Sequence, residues 1–155
     1  SRVVGSLARV LGRLGASVVV TGPPAFLPAR PDVLGVEVAA SVDEAIYGAD
    51  VVYLLRIQLE RLGSLQLLPS LREYARFWGM NSQRLAALAP HTVIMHPGPM
   101  NRGVEITQEV ADSIPARVLN QVNSGVAVRM AIMELLLANC AEDLSPIAAK
   151  ELVNA

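Results

Sequence analysis

Apolar residues recur along the chain in two alternating patterns, one typical of amphipathic helices and one typical of short buried strands. Apolar positions at helical spacing from Val3 to Leu14 predict an opening helix over residues 2–15 that ends at Gly15. Apolar runs, several rich in β-branched residues, predict strands at residues 17–20, 36–40, 50–55 and 91–95. Alternating helices and short apolar strands indicate an α/β domain with a parallel sheet.

The remaining polar and apolar positions predict further helices between and after these strands. Ser41 is a helix cap, with Glu44 three residues later in the pattern of a capping box. Further predicted helices cover residues 69–88, broken near Gly79 and Asn81, then 107–113, and then Asn123 or Ser124 to about Asn139. We therefore expect a domain over residues 1–139 and a C-terminal tail over residues 140–155.

The order of the elements contains one irregularity. The chain opens on a helix, whereas a doubly wound domain normally opens on a strand, and that strand is usually central in the sheet. Either this fold is unusual, or the chain begins one strand late, in which case a three-layer, Rossmann-like domain would have a short parallel sheet without its first strand. Such a sheet has two unpaired edges, which is an aggregation hazard.

Composition and charge narrow the classes of function. The chain has 155 residues, 52% of them hydrophobic, and a formal net charge of −1, so neither a basic nucleic-acid surface nor a polybasic membrane patch is expected. Arg129 and Glu134 interrupt the longest apolar stretch, which argues against a membrane span. Two histidines and one cysteine have no metal-ligand spacing, and the absence of a signal peptide and of cysteine pairs predicts a cytoplasmic protein.

The first candidate site follows the third predicted strand. Arg56 comes directly after DVVYLL, and Gln58 is two residues further, so both side chains would point the same way in an extended segment. A guanidinium binds a carboxylate through two parallel hydrogen bonds, and a carboxamide adds a donor and an acceptor. The pair suits an anionic ligand with a second polar group. The alternative is a surface arginine paired with Glu60 or Asp50.

The second candidate site is the loop that follows the fourth predicted strand. Pro97 and Pro99 fix φ and remove two N–H donors, so the loop's carbonyl groups become preorganised acceptors, and Gly98 permits a close approach of a ligand. We expect a cis bond at Gly98–Pro99. The alternative is a stiff connector in which His96 is a structural residue. The dinucleotide, phosphate-loop and serine-hydrolase motifs GxGxxG, GxxxxGK and GxSxG are absent at the required places.

Four stretches, in the right order, resemble the second, aspartate-binding domain of the aspartate carbamoyltransferase family. The helix that opens this domain in the family, with the strand after it, is similar to SRVVGSLARVLGRLGASVVVTGPP in this chain. The family's Arg-x-Gln-x-Glu-Arg segment is similar to LLRIQLER. The His-Pro-x-Pro loop, in its variant with Asn-Arg-x-x-Glu-Ile, resembles HPGPMNRGVEI. The C-terminal helix that crosses back to the first domain resembles QVNSGVAVRMAIMELLL. The resemblance covers essentially the whole chain, and it implies that the sequence begins inside the second domain, after that domain's first strand.

The resemblance implies a role for each matching position at the amino-acid side of the site. Arg2, Arg56 and Gln58 would bind the two carboxylates and the amine region of L-aspartate. Glu60 would orient Arg56, and Arg61 would help to join the two domains on closure. Polar residues that some relatives have after Arg2 are replaced here by apolar or small ones, so assistance from them is not expected.

The resemblance also implies a reaction and its partners. Pro97 and Pro99 would offer backbone carbonyls to the NH₂ group of carbamoyl phosphate, with Gly98 in close contact. The carbamoyl group would pass to L-aspartate, giving N-carbamoyl-L-aspartate and phosphate in pyrimidine biosynthesis, without a metal or an organic cofactor. No residue of this chain is expected to be a catalytic group, because the family's carbamoyl-phosphate domain carries those.

Nothing in the chain resembles that first domain, so we expect no activity without it. The resemblance implies a homotrimer. It also allows this trimer to belong to a larger pyrimidine-pathway complex. Two alternatives stay open. One is a carbamoyltransferase for another amino acid such as ornithine, although LLRIQ and HPGP favour a dicarboxylate. The other is a non-catalytic scaffold or regulatory homologue.

Overall fold

A computed structural model describes the backbone of residues 2–57 and 70–153 and the side chains of residues 3–57 and 70–138. Its strands are β1 Val19–Val20, β2 Glu37–Val38, β3 Val51–Tyr53 and β4 Val93–Met95. Its helices are α1 Arg2–Arg13, α2 Pro31–Leu34, α3 Val42–Ile46, α4 Leu71–Trp78, α5 Ser82–Ala86, α6 Gln108–Ala111 and α7 Val118–Val153. The predicted alternation of helices and short strands is therefore confirmed.

All the described strand pairs are parallel. In one sheet β1 pairs with β2, and in the other β3 pairs with β4 in the register Val51 to Val93, Val52 to Ile94 and Tyr53 to Met95. Within the described ranges, no pairing joins β1 to β3. The described strands therefore form two short parallel sheets.

The break between α4 and α5 lies at Gly79 and Asn81, as predicted. A Cβ atom on Gly79 would lie 2.5 Å from the carbonyl oxygens of both Ala75 and Val104, so only glycine fits where the chain passes this closely. The side chain of Asn81 then starts α5 by accepting a hydrogen bond from the Arg84 N–H at 2.9 Å. The predicted Ser41 cap is likewise present, since its Oγ accepts from the Glu44 N–H at 3.1 Å.

The last helix differs from the prediction at both ends. α7 begins at Val118 rather than at Asn123 or Ser124, and it continues past Asn139 to Val153. No glycine or proline separates Val118 from Ser124, so the helix propagates through that segment and the polar residues do not cap it. The boundary between a domain ending at residue 139 and a tail stays a prediction. No helix in the described part of the chain is long and apolar enough to cross a membrane.

The chain divides into two compact units, Ser1–Val118 and Leu119–Ala155. The second contains α7 from Leu119 onward, and many large apolar side chains of its described part are exposed, among them Leu119, Met130, Leu135 and Leu137. A helix with so much exposed apolar surface gains free energy when another surface covers it.

The hydrophobic core of the first unit lies between β3, β4 and the short helices. Its buried members are Val42, Ile46, Val52, Met80, Ile94, Ile106 and Val110. Ile94 is central, because β3 pairs with it on one side and its N–H donates to Pro115 O on the other at 2.9 Å. The carboxyl end of β4 is therefore held on both sides, which positions the loop that follows it.

Candidate functional site

Two chain segments leave the sheet side by side, at the carboxyl ends of β3 and β4. Pairing continues one step beyond the strands, since the Leu54 N–H donates to Met95 O at 2.9 Å. The next residues are Arg56, which is half-buried, and Ile57, which is buried. In parallel α/β sheets, ligands bind beyond this edge. The structure thus brings Arg56 and the proline-rich loop to neighbouring strand ends, as the sequence predicts.

The loop from His96 to Pro99 is anchored at its start and exposed at its tip. His96 is completely buried, whereas Pro97 and Pro99 are exposed and Gly98 is half-buried. The bond between Gly98 and Pro99 is cis, as predicted, and Gly98 has a φ of +66°, a conformation that favours glycine. A stiff segment with exposed carbonyl-bearing prolines on a buried base is suited to present fixed acceptors to a small ligand.

A hydrogen-bond network around the two buried side chains of His96 and Glu105 forms that base. The Gly98 N–H donates to His96 Nδ1 at 2.9 Å, and His96 Nε2 lies 3.3 Å from Glu105 Oε1. The same oxygen accepts the Asn101 N–H at 2.6 Å. The Asn101 side chain in turn donates from Nδ2 to Ile57 O at 3.1 Å, next to Arg56. One network therefore connects the loop after β4 with the segment after β3.

Glu105 is 2% exposed, and its backbone is hydrogen-bonded to Met80, which lies between α4 and α5. The Met80 N–H donates to Glu105 O at 2.9 Å, and the Thr107 N–H donates to Met80 O at 3.0 Å. Burial, together with the negative charge of Glu105, raises the pKa of the Tyr74 phenol to about 12. A tyrosine from α4 and a carboxylate below the loop are thus close enough to influence each other electrostatically.

Most of the other predicted site residues lie outside the described part of the structure. Gln58, Glu60 and Arg61 fall in the undescribed range 58–69, and Arg2 begins α1 with its side chain undescribed. Their predicted roles stay predictions, as do those of Arg56 and the loop prolines. Among described side chains, no group of three or more histidine, cysteine, aspartate or glutamate residues could hold a metal ion.

Sequence reasoning missed part of this arrangement. In the sequence, Asn101 and Glu105 stand out only as matches to the family's loop, and His96 only as a residue with a structural role in the alternative interpretation. The signal that could have found them is the order His, Asn and Glu at positions 96, 101 and 105 of one glycine- and proline-rich loop. Such a loop cannot satisfy buried polar groups through regular secondary structure, so its side chains must do it.

The fold and this site define an α/β domain that presents an arginine and a rigid proline loop at adjacent strand ends. The family model described as aspartate/ornithine carbamoyltransferase, Asp/Orn binding domain, matches residues 1–136. The chain belongs to this family.

Curated proteins that are similar to this chain include aspartate carbamoyltransferase catalytic subunits. An aspartate carbamoyltransferase catalytic subunit from Pelotomaculum thermopropionicum is 52% identical over 136 residues, which are 88% of this chain and 44% of that protein. The corresponding subunit from Granulibacter bethesdensis is 52% identical over 138 residues, 88% of this chain and 43% of that protein. The chain therefore spans less than half the length of these curated relatives.

Solved structures show the same fold. Aspartate transcarbamoylase from Trypanosoma cruzi, in complex with carbamoyl phosphate, has a TM-score of 0.61 at 26% identity, covering 76% of this chain and 39% of that one. Ornithine carbamoyltransferase from Burkholderia thailandensis has a TM-score of 0.67 at 22% identity, covering 84% of this chain and 42% of that one. The Rossmann-like fold class expected from the sequence is confirmed.

Proposed function

We propose that this chain is the aspartate-binding half of an aspartate carbamoyltransferase catalytic subunit. The complete subunit transfers the carbamoyl group of carbamoyl phosphate to the α-amine of L-aspartate. The products are N-carbamoyl-L-aspartate and phosphate, an early step of pyrimidine biosynthesis. The observation that carries the proposal is the identity of about half of all aligned positions with proteins named as that subunit, together with Arg56 and the proline loop at adjacent strand ends.

At the amino-acid side, Arg56 binds a carboxylate of aspartate, and Arg2 and Gln58 complete the site around the second carboxylate and the amine. A guanidinium beside the substrate side chain favours a dicarboxylate over a cationic amino acid such as ornithine, because like charges repel. Glu60 orients Arg56, and Arg61 contributes to domain closure. The half-buried position of Arg56 supports this role, since partial burial strengthens a charged hydrogen bond.

At the carbamoyl side, Pro97 and Pro99 direct backbone carbonyl groups at the NH₂ group of carbamoyl phosphate, and Gly98 lets the ligand approach. The phosphate and the polarised carbonyl oxygen are bound by the remainder of the subunit, which the match to this chain does not cover. Catalysis consists mainly of holding the two substrates in reactive contact and stabilising the developing charge.

The same proposal includes an assembly and a location. The exposed apolar side chains of α7 support a covering partner, which we propose to be the carbamoyl-phosphate domain of the same subunit, and the complete protein forms a trimer. A single cysteine, which permits no intrachain disulfide, supports a cytoplasmic location.

The test is a transfer assay with the complete polypeptide that carries residues 1–155, using labelled carbamoyl phosphate with L-aspartate or L-ornithine. We expect carbamoyl-aspartate as the product, and inhibition by a compound that joins phosphonoacetyl and aspartate moieties. Arg56→Ala should raise the KM for aspartate roughly 10- to 150-fold, the loss of a charged hydrogen bond. Arg9→Ala, at an exposed position of α1, is the matched control and should leave KM unchanged. Carbamoylation of ornithine, or an unaltered KM in Arg56→Ala, would refute the proposal.

A further inference from the structure

The hydrogen bond between Gly98 and His96 determines where the imidazole carries its proton. A backbone N–H can only donate, and the Gly98 N–H points at His96 Nδ1 from 2.9 Å. Nδ1 must therefore present its lone pair, so the ring proton is on Nε2. Nε2 lies 3.3 Å from Glu105 Oε1, and it donates to that oxygen.

Glu105 connects this histidine to the rest of the loop. Its Oε1 receives the Asn101 N–H at 2.6 Å as well as the His96 Nε2–H. The Asn101 side chain donates to Ile57 O, beside Arg56. Both His96 and Glu105 are fully or almost fully buried, so water cannot replace the hydrogen bond between them if it is lost.

We propose that His96 is a positioning residue that works as a neutral imidazole with its proton on Nε2. Together with Glu105 and Asn101, it sets the Pro97–Pro99 segment at a fixed position relative to Arg56. The opposite tautomer, or an imidazolium, would place an N–H at Nδ1 against the Gly98 N–H, and two donors cannot form a hydrogen bond. The effect on substrate binding rests on the proposed function, whereas the tautomer does not.

The tautomer is measured directly by long-range ¹H–¹⁵N NMR of the complete, ¹⁵N-labelled polypeptide at neutral pH. The signals of His96 are those that disappear in His96→Gln, and His91→Gln, at an exposed residue that contacts Asp50, is the control that should leave them in place. We expect a pyridine-type Nδ1 and a pyrrole-type Nε2 for His96. A pyrrole-type Nδ1, or two protonated nitrogens, would overturn the inference whatever the activity of the protein.

Two substitutions of His96 separate the contributions of its two ring nitrogens. His96→Asn keeps an acceptor close to the position of Nδ1, whereas His96→Gln places its amide close to Nε2 and loses the bond to Gly98. Glu105→Gln is the conservative partner variant, because its remaining Oε1 still accepts from both His96 and Asn101. We expect His96→Gln to raise the KM for carbamoyl phosphate about tenfold, the loss of the partly buried hydrogen bond to Gly98. His96→Asn loses the buried bond to Glu105 and should unfold at a lower urea concentration, but it keeps the bond to Gly98, so its KM should stay within about threefold of the wild type, as should that of Glu105→Gln.

A residue that only stabilises the fold would lower the folded fraction without this ordering of KM values. Equal KM values for folded His96→Gln and the wild type, or equal defects in the Asn and Gln variants, would overturn the positioning role. If the wild-type polypeptide does not carbamoylate aspartate, the proposed function fails, and the NMR result still decides the tautomer.

Discussion

Replacing Arg84 with methionine should destabilise the first unit strongly, because this buried arginine holds three elements together. Arg84 is 8% exposed, and its guanidinium donates to Asp43 Oδ1 and Oδ2 at 3.0 and 3.1 Å. It also donates to Phe77 O at 3.0 Å and to Gly79 O. The last two acceptors are carbonyls at the carboxyl end of α4, where no further helical N–H is available.

The expected loss of stability follows from what each hydrogen-bond partner of Arg84 loses in the methionine variant. The Asp43 side chain is 68% exposed, so water replaces the guanidinium there and the ion pair contributes less than about 1 kcal/mol. The two carbonyl groups are more sheltered, and losing a charged donor costs about 1–2 kcal/mol each. Arg84→Met should therefore lower the free energy of unfolding by about 2–4 kcal/mol, a large share of the roughly 5–15 kcal/mol of a typical domain.

The assay is urea unfolding followed by circular dichroism, with the midpoint and slope compared between variants. Asp43→Asn removes the charge and leaves the carbonyl bonds intact, so it should cost less than about 1 kcal/mol. Arg9→Met, at an exposed site on α1, should be close to neutral. The reasoning would be refuted if Arg84→Met stayed within about 0.5 kcal/mol of the wild type, or if Asp43→Asn cost as much as Arg84→Met.

Two further perturbations test the packing around Glu105. Gly79→Ala should destabilise by about 1–3 kcal/mol, since the new methyl group meets two backbone oxygens at 2.5 Å. Gly12→Ala, with nothing within 4 Å of the added atom, should instead be neutral or stabilising by up to about 1 kcal/mol, and equal urea midpoints for the two variants would contradict the close contact. The raised pKa of Tyr74, about 12 in the folded protein against an ordinary value of 10.0, adds stability below pH 10 that is lost as the pH rises toward 12. Ultraviolet titration should show a late phenolate component that disappears in Tyr74→Phe, and its persistence in that variant would exclude the assignment.

Much of the fold was predictable because it depends on local patterns. The strands lie inside the apolar runs, and the helix caps at Ser41 and Asn81 follow from side chains that act within three positions. The prediction placed the start of α7 too late, because Ser124 is an acceptable cap, although no glycine or proline prevents the helix from starting at Val118.

The sequence by itself determined the order of the elements, the family, and the two strand ends at which Arg56 and the loop of Pro97–Pro99 lie. Only the tertiary structure decided how these ends are coupled. The bond from Asn101 to Ile57 spans 44 positions, and the contact of Arg84 with Asp43 spans 41. Such pairs have no local signature, since they form where packing brings distant segments together and leaves buried polar groups that must be satisfied.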